Sequence, residues 1–243
     1  DVYKRQNLKP EELLPYLGVY ESKSGKRAII YERFNYLHYI SPFSELVVSL
    51  KEIKENHFWS VTGETSTFEL KKNDQFQIIK IKDLNGKEHS FHRINSPIIE
   101  ELFIPIGKDT IYAQLYRPKS KSKVPACLIL PGGGAIGIDN YISEARFLAS
   151  NGIASLVFEK PGNGKSKGET DFRLQSFEEK INTYKELFKF LREHPSSDKS
   201  KIGIHGPSEG GRLALMMASD LKEKVAFVIG VSAPLMTMQE GQF

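Results

Sequence analysis

The spacing of apolar positions changes partway along the chain. Through residues 14–95, short β-branched and aromatic runs recur at 16–20, 27–31, 36–40, 46–50, 57–61, 67–70, 76–81 and 90–94. Turn residues punctuate them: Ser24-Gly25, Asn73-Asp74 and Asn85-Gly86, the last a strong hairpin signal. Eight short strands at this spacing predict an antiparallel β barrel or sandwich. Tyr31, Phe34, Tyr36, Tyr39, Phe43, Phe58 and Trp59 are expected in its core, with a ligand shelf as the minor alternative.

After Asn95-Ser96-Pro97 the runs lengthen and alternate with helical spacing. Residues 101–106 and 110–116 read as a strand pair around Gly107-Lys108-Asp109. Three apolar strands, 124–130, 153–158 and the one holding Ile202 and Ile204, each close on a glycine turn. Helical stretches separate them, which predicts a mostly parallel sheet flanked by helices. One helix covers 143–150 and stops at Asn151-Gly152, a natural C-cap. Another opens on a capping box, Ser176 with Glu179. Its apolar stripe is Phe177, Ile181, Tyr184, Phe188 and Leu191, and Pro195 ends it. Residues 225–231 read as a further strand, which as the last one present would leave an apolar sheet edge prone to aggregation.

The expected architecture is therefore α/β, with an antiparallel β domain over 7–97 and an α/β domain over 98–243. The glycine turns all fall at the carboxyl ends of strands, where such sheets carry their chemistry. The chief one is Gly206-Pro207-Ser208-Glu209-Gly210, set between a strand and a helix. A bare Gly-x-Ser-x-Gly is a weak signal in a chain with 19 glycines, but strand–turn–helix is the context a nucleophile elbow needs. The turn is tight enough that side chains at 206 or 210 would collide with their neighbours.

This C-terminal region resembles the α/β-hydrolase superfamily, and within it the esterases and serine aminopeptidase-like hydrolases. Gly206-Pro207-Ser208-Glu209-Gly210-Gly211 is similar to that group's Gly-His-Ser-x-Gly-Gly elbow. The stretch from Phe158-Glu159-Lys160-Pro161-Gly162 through Gly164, Ser166 and Gly168 is similar to its Asp-Lys/Arg-x-Gly-x-Gly-x-Ser-x-Gly turn. Pro131-Gly132-Gly133-Gly134 stands in the place of its His-Gly-x-Gly oxyanion loop, with Pro131 replacing a histidine that often braces that loop. The resemblance implies Ser208 as nucleophile and an oxyanion hole made by the backbone N–H groups of Glu209 and Gly133. It implies a carboxylesterase acting on small acyl esters. A peptidase or thioesterase on the same scaffold, and a non-catalytic hydrolase-fold binding protein, are the alternatives.

In this fold the acid and then the base follow the serine in the chain. All six histidines (His38, His57, His89, His92, His194 and His205) precede Ser208, and His205 lies in the strand below the turn. Glu209, Asp220, Glu223 and Glu240 are the acidic residues beyond Ser208; the acid in most relatives follows a further strand, which makes Glu240 a poor candidate. The expectation is that two triad groups lie outside the sequence as given, so that the chain alone turns over little. Asp1-Val2-Tyr3-Lys4-Arg5-Gln6 resembles a translated sequencing adapter, which would place the natural start and any export signal elsewhere.

Composition adds exclusions. Charged residues are 26% and the net charge is +4, mild and spread out, so nucleic acid is not expected as a partner. No apolar run approaches the roughly 20 residues of a membrane helix. The basic stretch from Arg117 to Lys123 is expected to be a solvated hairpin loop. Cys127, the single cysteine, sits in an apolar strand and reads as a buried hydrophobe. Gly164-Lys165-Ser166 lacks the upstream glycine of a phosphate-binding loop, since position 159 is Glu. No metal-ligand spacing occurs, and no cofactor is expected. The expected partner is a small ester or acyl substrate.

Overall fold

A computed structural model describes residues 10–33, 36–44, 46–70, 76–221 and 225–234. Residues 1–6, Phe34, the Asn73-Asp74 turn, Glu223 and Glu240 lie outside the described residues. The chain forms two compact units that divide between Ser96 and Pro97.

The first unit opens with a helical turn, α1 (Pro10–Leu13), and continues as eight strands: β1 (Gly18–Ser22), β2 (Arg27–Arg33), β3 (Tyr36–Ile40), β4 (Val47–Lys54), β5 (His57–Ser60), β6 (Thr65–Leu70), β7 (Phe76–Lys82) and β8 (Glu88–Ile94). Each pairs antiparallel with the next, and β1 pairs with β8, so the sheet closes into a barrel. Closure removes the exposed sheet edges that a sandwich keeps. Period-2 alternation packs the interior: Tyr20, Phe58, Phe68, Phe76 and Phe91 point inward, and the Tyr16 ring stacks on Phe76 at 4.5 Å. The Arg93 guanidinium ties the layer together by donating to the carbonyls of Leu17 at 2.5 Å, Phe76 at 2.6 Å and Pro15 at 2.7 Å. Of the aromatics expected in the core, Tyr31, Tyr39 and Phe58 are buried and Phe43 packs partly against it. Tyr36 and Trp59 instead face outward at 37% and 38% exposure, because they occupy the other phase of the alternation.

The second unit is a six-stranded sheet. Its strands are β9 (Ile98–Ile106), β10 (Asp109–Arg117), β11 (Val124–Ile129), β12 (Ala154–Phe158), β13 (Ser197–Pro207) and β14 (Phe227–Val231), in the order β14-β13-β11-β12-β10-β9. The sheet is mixed and not mostly parallel: β11 to β14 run parallel, but β10 pairs antiparallel with both β12 and β9. The short Gly107 turn makes β9 and β10 a hairpin, and β10 also pairs antiparallel with β12 on its other side. The basic segment after Arg117 is exposed from Lys119 to Lys123, but it is not a hairpin loop. It carries the chain from β10 past β12 to β11.

Three helices cover the sheet: α2 (Ile142–Ser150), α3 (Phe177–Glu193) and α4 (Glu209–Leu221). Alternate residues of β11 serve opposite faces. Ala126, Leu128 and Leu130 pack with Ile181, Tyr184, Phe188 and Leu191 of α3 and with Leu213 and Met217 of α4. Cys127 and Ile129 pack with Ala145 and Ala149 of α2. The expected start of α3 is observed: the Ser176 hydroxyl accepts from the Glu179 N–H while the Glu179 carboxylate accepts from the Ser176 N–H at 2.7 Å. Among the described residues β14 is the outermost strand on its side, with Ile229 and Val231 exposed.

Candidate active site at the end of strand β13

Strand β13 runs into α4 through a single residue, Ser208, whose φ is +51°. A side chain is uncommon at positive φ, so packing must hold it there. The Ser208 N–H donates to the Val231 carbonyl at 2.8 Å, and the Ser208 carbonyl accepts from Gly211 at 3.0 Å and Arg212 at 3.2 Å. The neighbouring glycines leave no room for side chains. A Cβ on Gly206 would strike the Gly210 backbone, and one on Gly210 would lie 2.5 Å from the Leu130 carbonyl oxygen. Ser208 itself is exposed, and its hydroxyl has no hydrogen bond among the described residues.

The loop after β11 lies beside the elbow. A Cβ on Gly132 would sit 3.6 Å from the Pro207 carbonyl oxygen, and one on Gly133 would sit 3.6 Å from Glu209 Oε2. The two residues expected to supply oxyanion donors, Gly133 and Glu209, are therefore neighbours. The Gly132 N–H is already committed, donating to the Tyr141 hydroxyl at 2.7 Å.

Lys160 is fully buried, and its ammonium donates to the carbonyls of Gly132 at 2.5 Å and Gly134 at 2.7 Å. Burial depresses its pKa, opposed by the nearby Glu209 carboxylate. Lys160 belongs to the glycine-turn motif, whose pattern alone does not reveal this task. The signal available was Pro131, which left the loop without its usual brace. Glu159 steadies the same region, accepting from the Ile138 N–H at 3.2 Å and from Asn163 at 3.0 Å. Burial raises its carboxyl pKa. Lys180 of α3, 8% exposed, pairs with Glu209 at 2.9 Å and so balances the carboxylate next to Ser208. Ser166 closes the glycine turn, donating to the Glu159 carbonyl and accepting from the Tyr112 N–H, both at 3.0 Å.

Neither histidine of the second unit, His194 or His205, hydrogen-bonds Ser208 among the described residues. His205 approaches the Ile229 carbonyl with Nδ1 at 3.2 Å, His89 pairs with Asp83 at 2.8 Å, and His194 meets Ser196 at 2.8 Å. His38 and His57 approach the carbonyls of Tyr36 and Glu55, and His92 is an exposed residue of β8. Among the described residues no cluster of three or more His, Cys, Asp or Glu side chains could hold a metal ion, and no helix is long and apolar enough to cross a membrane.

Residues 179–243 match the family described as BAAT / Acyl-CoA thioester hydrolase C terminal. Rat acyl-coenzyme A thioesterase 1 is 28% identical over 183 residues, covering 70% of this chain and 41% of the relative. Rat mitochondrial acyl-coenzyme A thioesterase 2 is 29% identical over 183 residues, covering 70% of this chain and 38% of the relative. The chain thus spans about two fifths of the length of these curated relatives. Among solved structures, a hypothetical protein from Pseudomonas aeruginosa superposes with a TM-score of 0.52 at 21% identity, covering 58% of this chain and 44% of that one. A putative dienelactone hydrolase from Klebsiella pneumoniae subsp. pneumoniae gives 0.50 at 18% identity, covering 59% and 62%. With its strand–serine–helix turn, its glycine loop and these likenesses, the second unit has a fold similar to that of α/β hydrolases.

Proposed function

We propose that the full-length protein is a serine hydrolase that cleaves acyl thioesters through an acyl-enzyme on Ser208. The observation that carries this reading is the exposed, unengaged hydroxyl held at φ +51° where β13 becomes α4, with Gly133 against the next residue. A serine hydroxyl is too weak an acid to attack a carbonyl unaided, so a base must take its proton as Oγ bonds to the carbonyl carbon. The carbonyl electron pair moves onto oxygen, and the oxyanion lies between the N–H groups of Glu209 and Gly133. The Gly132 N–H is engaged by the Tyr141 hydroxyl, which supports Gly133 as the second donor. Collapse of the intermediate expels the thiolate, which takes the proton from the base. Water then repeats the sequence on the acyl-enzyme, releasing the carboxylic acid and restoring the hydroxyl. One oxyanion donor contributes about 10²–10³ in kcat. In this scheme the base and its acid are supplied in the full-length protein, and none of the six histidines present is assigned the role. The scheme uses no cofactor.

The likeness to acyl-coenzyme A thioesterases favours a thioester over the small oxygen ester expected from sequence alone. A carboxylesterase would share every step except the leaving group. Steady-state hydrolysis by the full-length protein of acyl-CoA thioesters and of p-nitrophenyl esters of equal acyl length separates the two. The expected result is a kcat/KM at least about tenfold higher on thioesters, with Ser208→Ala removing about 10⁴-fold or more on either substrate. Hydrolysis undiminished by Ser208→Ala overturns the reading, and higher kcat/KM on the simple esters assigns the carboxylesterase instead.

A further inference from the structure

We infer that Lys160 is the residue that sets the direction of the Gly133 N–H, by holding the other end of the same peptide group. The inference rests on the serine-hydrolase reading above. Peptide groups are planar, and in the trans form C=O and N–H point in opposite directions. The structure contains no cis peptide bonds among the described residues. The Gly132 carbonyl and the Gly133 N–H belong to one such plane. The Lys160 ammonium at 2.5 Å from the Gly132 oxygen therefore aims the Gly133 N–H away from itself. Its second bond, at 2.7 Å to the Gly134 carbonyl, fixes the following peptide group as well.

Three consecutive glycines make this control necessary. A Gly-Gly-Gly segment samples more backbone conformations than any other tripeptide, and an unheld donor would spend most of its time elsewhere. An oxyanion donor contributes because it is in place before charge develops, so the reorganisation cost is not met during the reaction. The charge on Lys160 adds a second effect. A cation at the carbonyl polarises the peptide and strengthens its N–H as a donor. Glu209 is held by the same logic, since the carbonyl of its peptide group, on Ser208, accepts from Gly211 and Arg212.

A buried lysine is costly unless its charge and hydrogens are satisfied. Here the two carbonyls satisfy two hydrogens, and the Phe172 ring lies 4.9 Å from the ammonium. Lys160 touches neither substrate nor the reacting atoms, so it is a positioning residue.

The test compares full-length protein with Lys160→Met, Lys160→Arg and Ser208→Ala on one acyl-CoA substrate. Inhibition by a trifluoromethyl ketone isostere of the thioester, whose adduct carries the oxyanion, is read alongside. Lys160→Met is expected to lower kcat by about 10–100-fold, up to the loss of one donor. KM should stay within about threefold, and the ketone Ki should rise by the same factor as kcat falls. Lys160→Arg restores charge and donors and is expected to recover part of the lost kcat and Ki. A Lys160→Met protein with kcat and Ki within threefold of the parent overturns the inference. So does a rise in KM with kcat unchanged, which is what general loosening of the substrate site would give. If Lys160→Met does not fold, Tyr141→Phe applies the test from the loop's other tie. A threefold to tenfold fall in kcat at steady KM supports the inference, and an unchanged kcat refutes it. Loss of activity in Ser208→Ala beside an unaffected Lys160→Met removes the Lys160 role alone. Absence of any Ser208-dependent activity removes the hydrolase reading itself.

Discussion

Replacing Gly210 by alanine perturbs the elbow at its tightest contact. The added Cβ would lie 2.5 Å from the Leu130 oxygen, 2.8 Å from the Pro131 oxygen and 3.0 Å from the Leu130 carbonyl carbon, all of them backbone atoms. Ordinary contact begins near 3.4 Å, so α4 and the end of β11 must separate by about 0.9 Å, and no flexible side chain is available to absorb it. Overpacking of this kind costs roughly 1–3 kcal/mol. The better helix propensity of alanine returns less than about 1 kcal/mol in a first helical turn. The net loss is about 2 kcal/mol, or roughly 4–8 °C in Tm at this size of chain. Gly133→Ala is the internal control: its Cβ would meet Glu209 at 3.6 Å, an ordinary distance, and the residue does not need positive φ. It should shift Tm by no more than about 2 °C. Differential scanning calorimetry of the three proteins checks both values. On the proposed hydrolase reading, Gly210→Ala in the full-length protein should also cut kcat/KM by tenfold or more, because the displaced backbone leads directly into the Gly132 to Gly134 loop. A Gly210→Ala protein as stable as its parent would refute the packing argument for the elbow.

Other consequences can be measured separately. The Glu159 pKa is raised from 4.5 by burial, so folded protein holds that proton more tightly than unfolded chain. The stabilisation from protonation is full below about 4.5 and is lost as pH rises through the folded value. The Tm of Glu159→Gln relative to the parent should therefore improve between pH 5 and pH 8, and a gap that is flat or shrinks across that window contradicts the assignment. Ser176→Ala removes the side-chain half of the α3 capping box and should lower stability by about 1 kcal/mol in urea melts. Burial pushes the Cys127 thiol up to about 12, so iodoacetamide at pH 8 should leave native protein unmodified and label it only in denaturant. Rapid labelling of the native state would place that thiol outside the sheet core.

Much of this architecture was legible in local pattern. The barrel strands, the hairpin turn at Gly86, the capping box and the serine between strand and helix all depend on residues a few positions apart. What was hidden depends on distant partners. Period-2 alternation specifies a two-faced strand but not whether eight of them close, so barrel and sandwich were indistinguishable until β1 met β8. The phase of that alternation was misjudged at Tyr36 and Trp59, where aromatic character outweighed position. The direction of β10 was fixed by its hairpin with β9, which inserts antiparallel pairs into a sheet whose other strands run parallel. Lys160 was overlooked for a physical reason: charged residues are rarely fully buried, and nothing local reveals two carbonyls waiting 26 and 28 residues earlier. The glycine loop was legible as a candidate oxyanion site, but its support was not.

The central claim is that Ser208 presents a reactive hydroxyl in the full-length protein. Treatment with a fluorophosphonate, followed by tryptic digestion and mass spectrometry, tests it at the level of one atom. The account predicts a single covalent adduct on the peptide containing Ser208, absent from Ser208→Ala and from heat-denatured protein. An unlabelled Ser208 in folded full-length protein, or labelling that persists unchanged in Ser208→Ala, would contradict it.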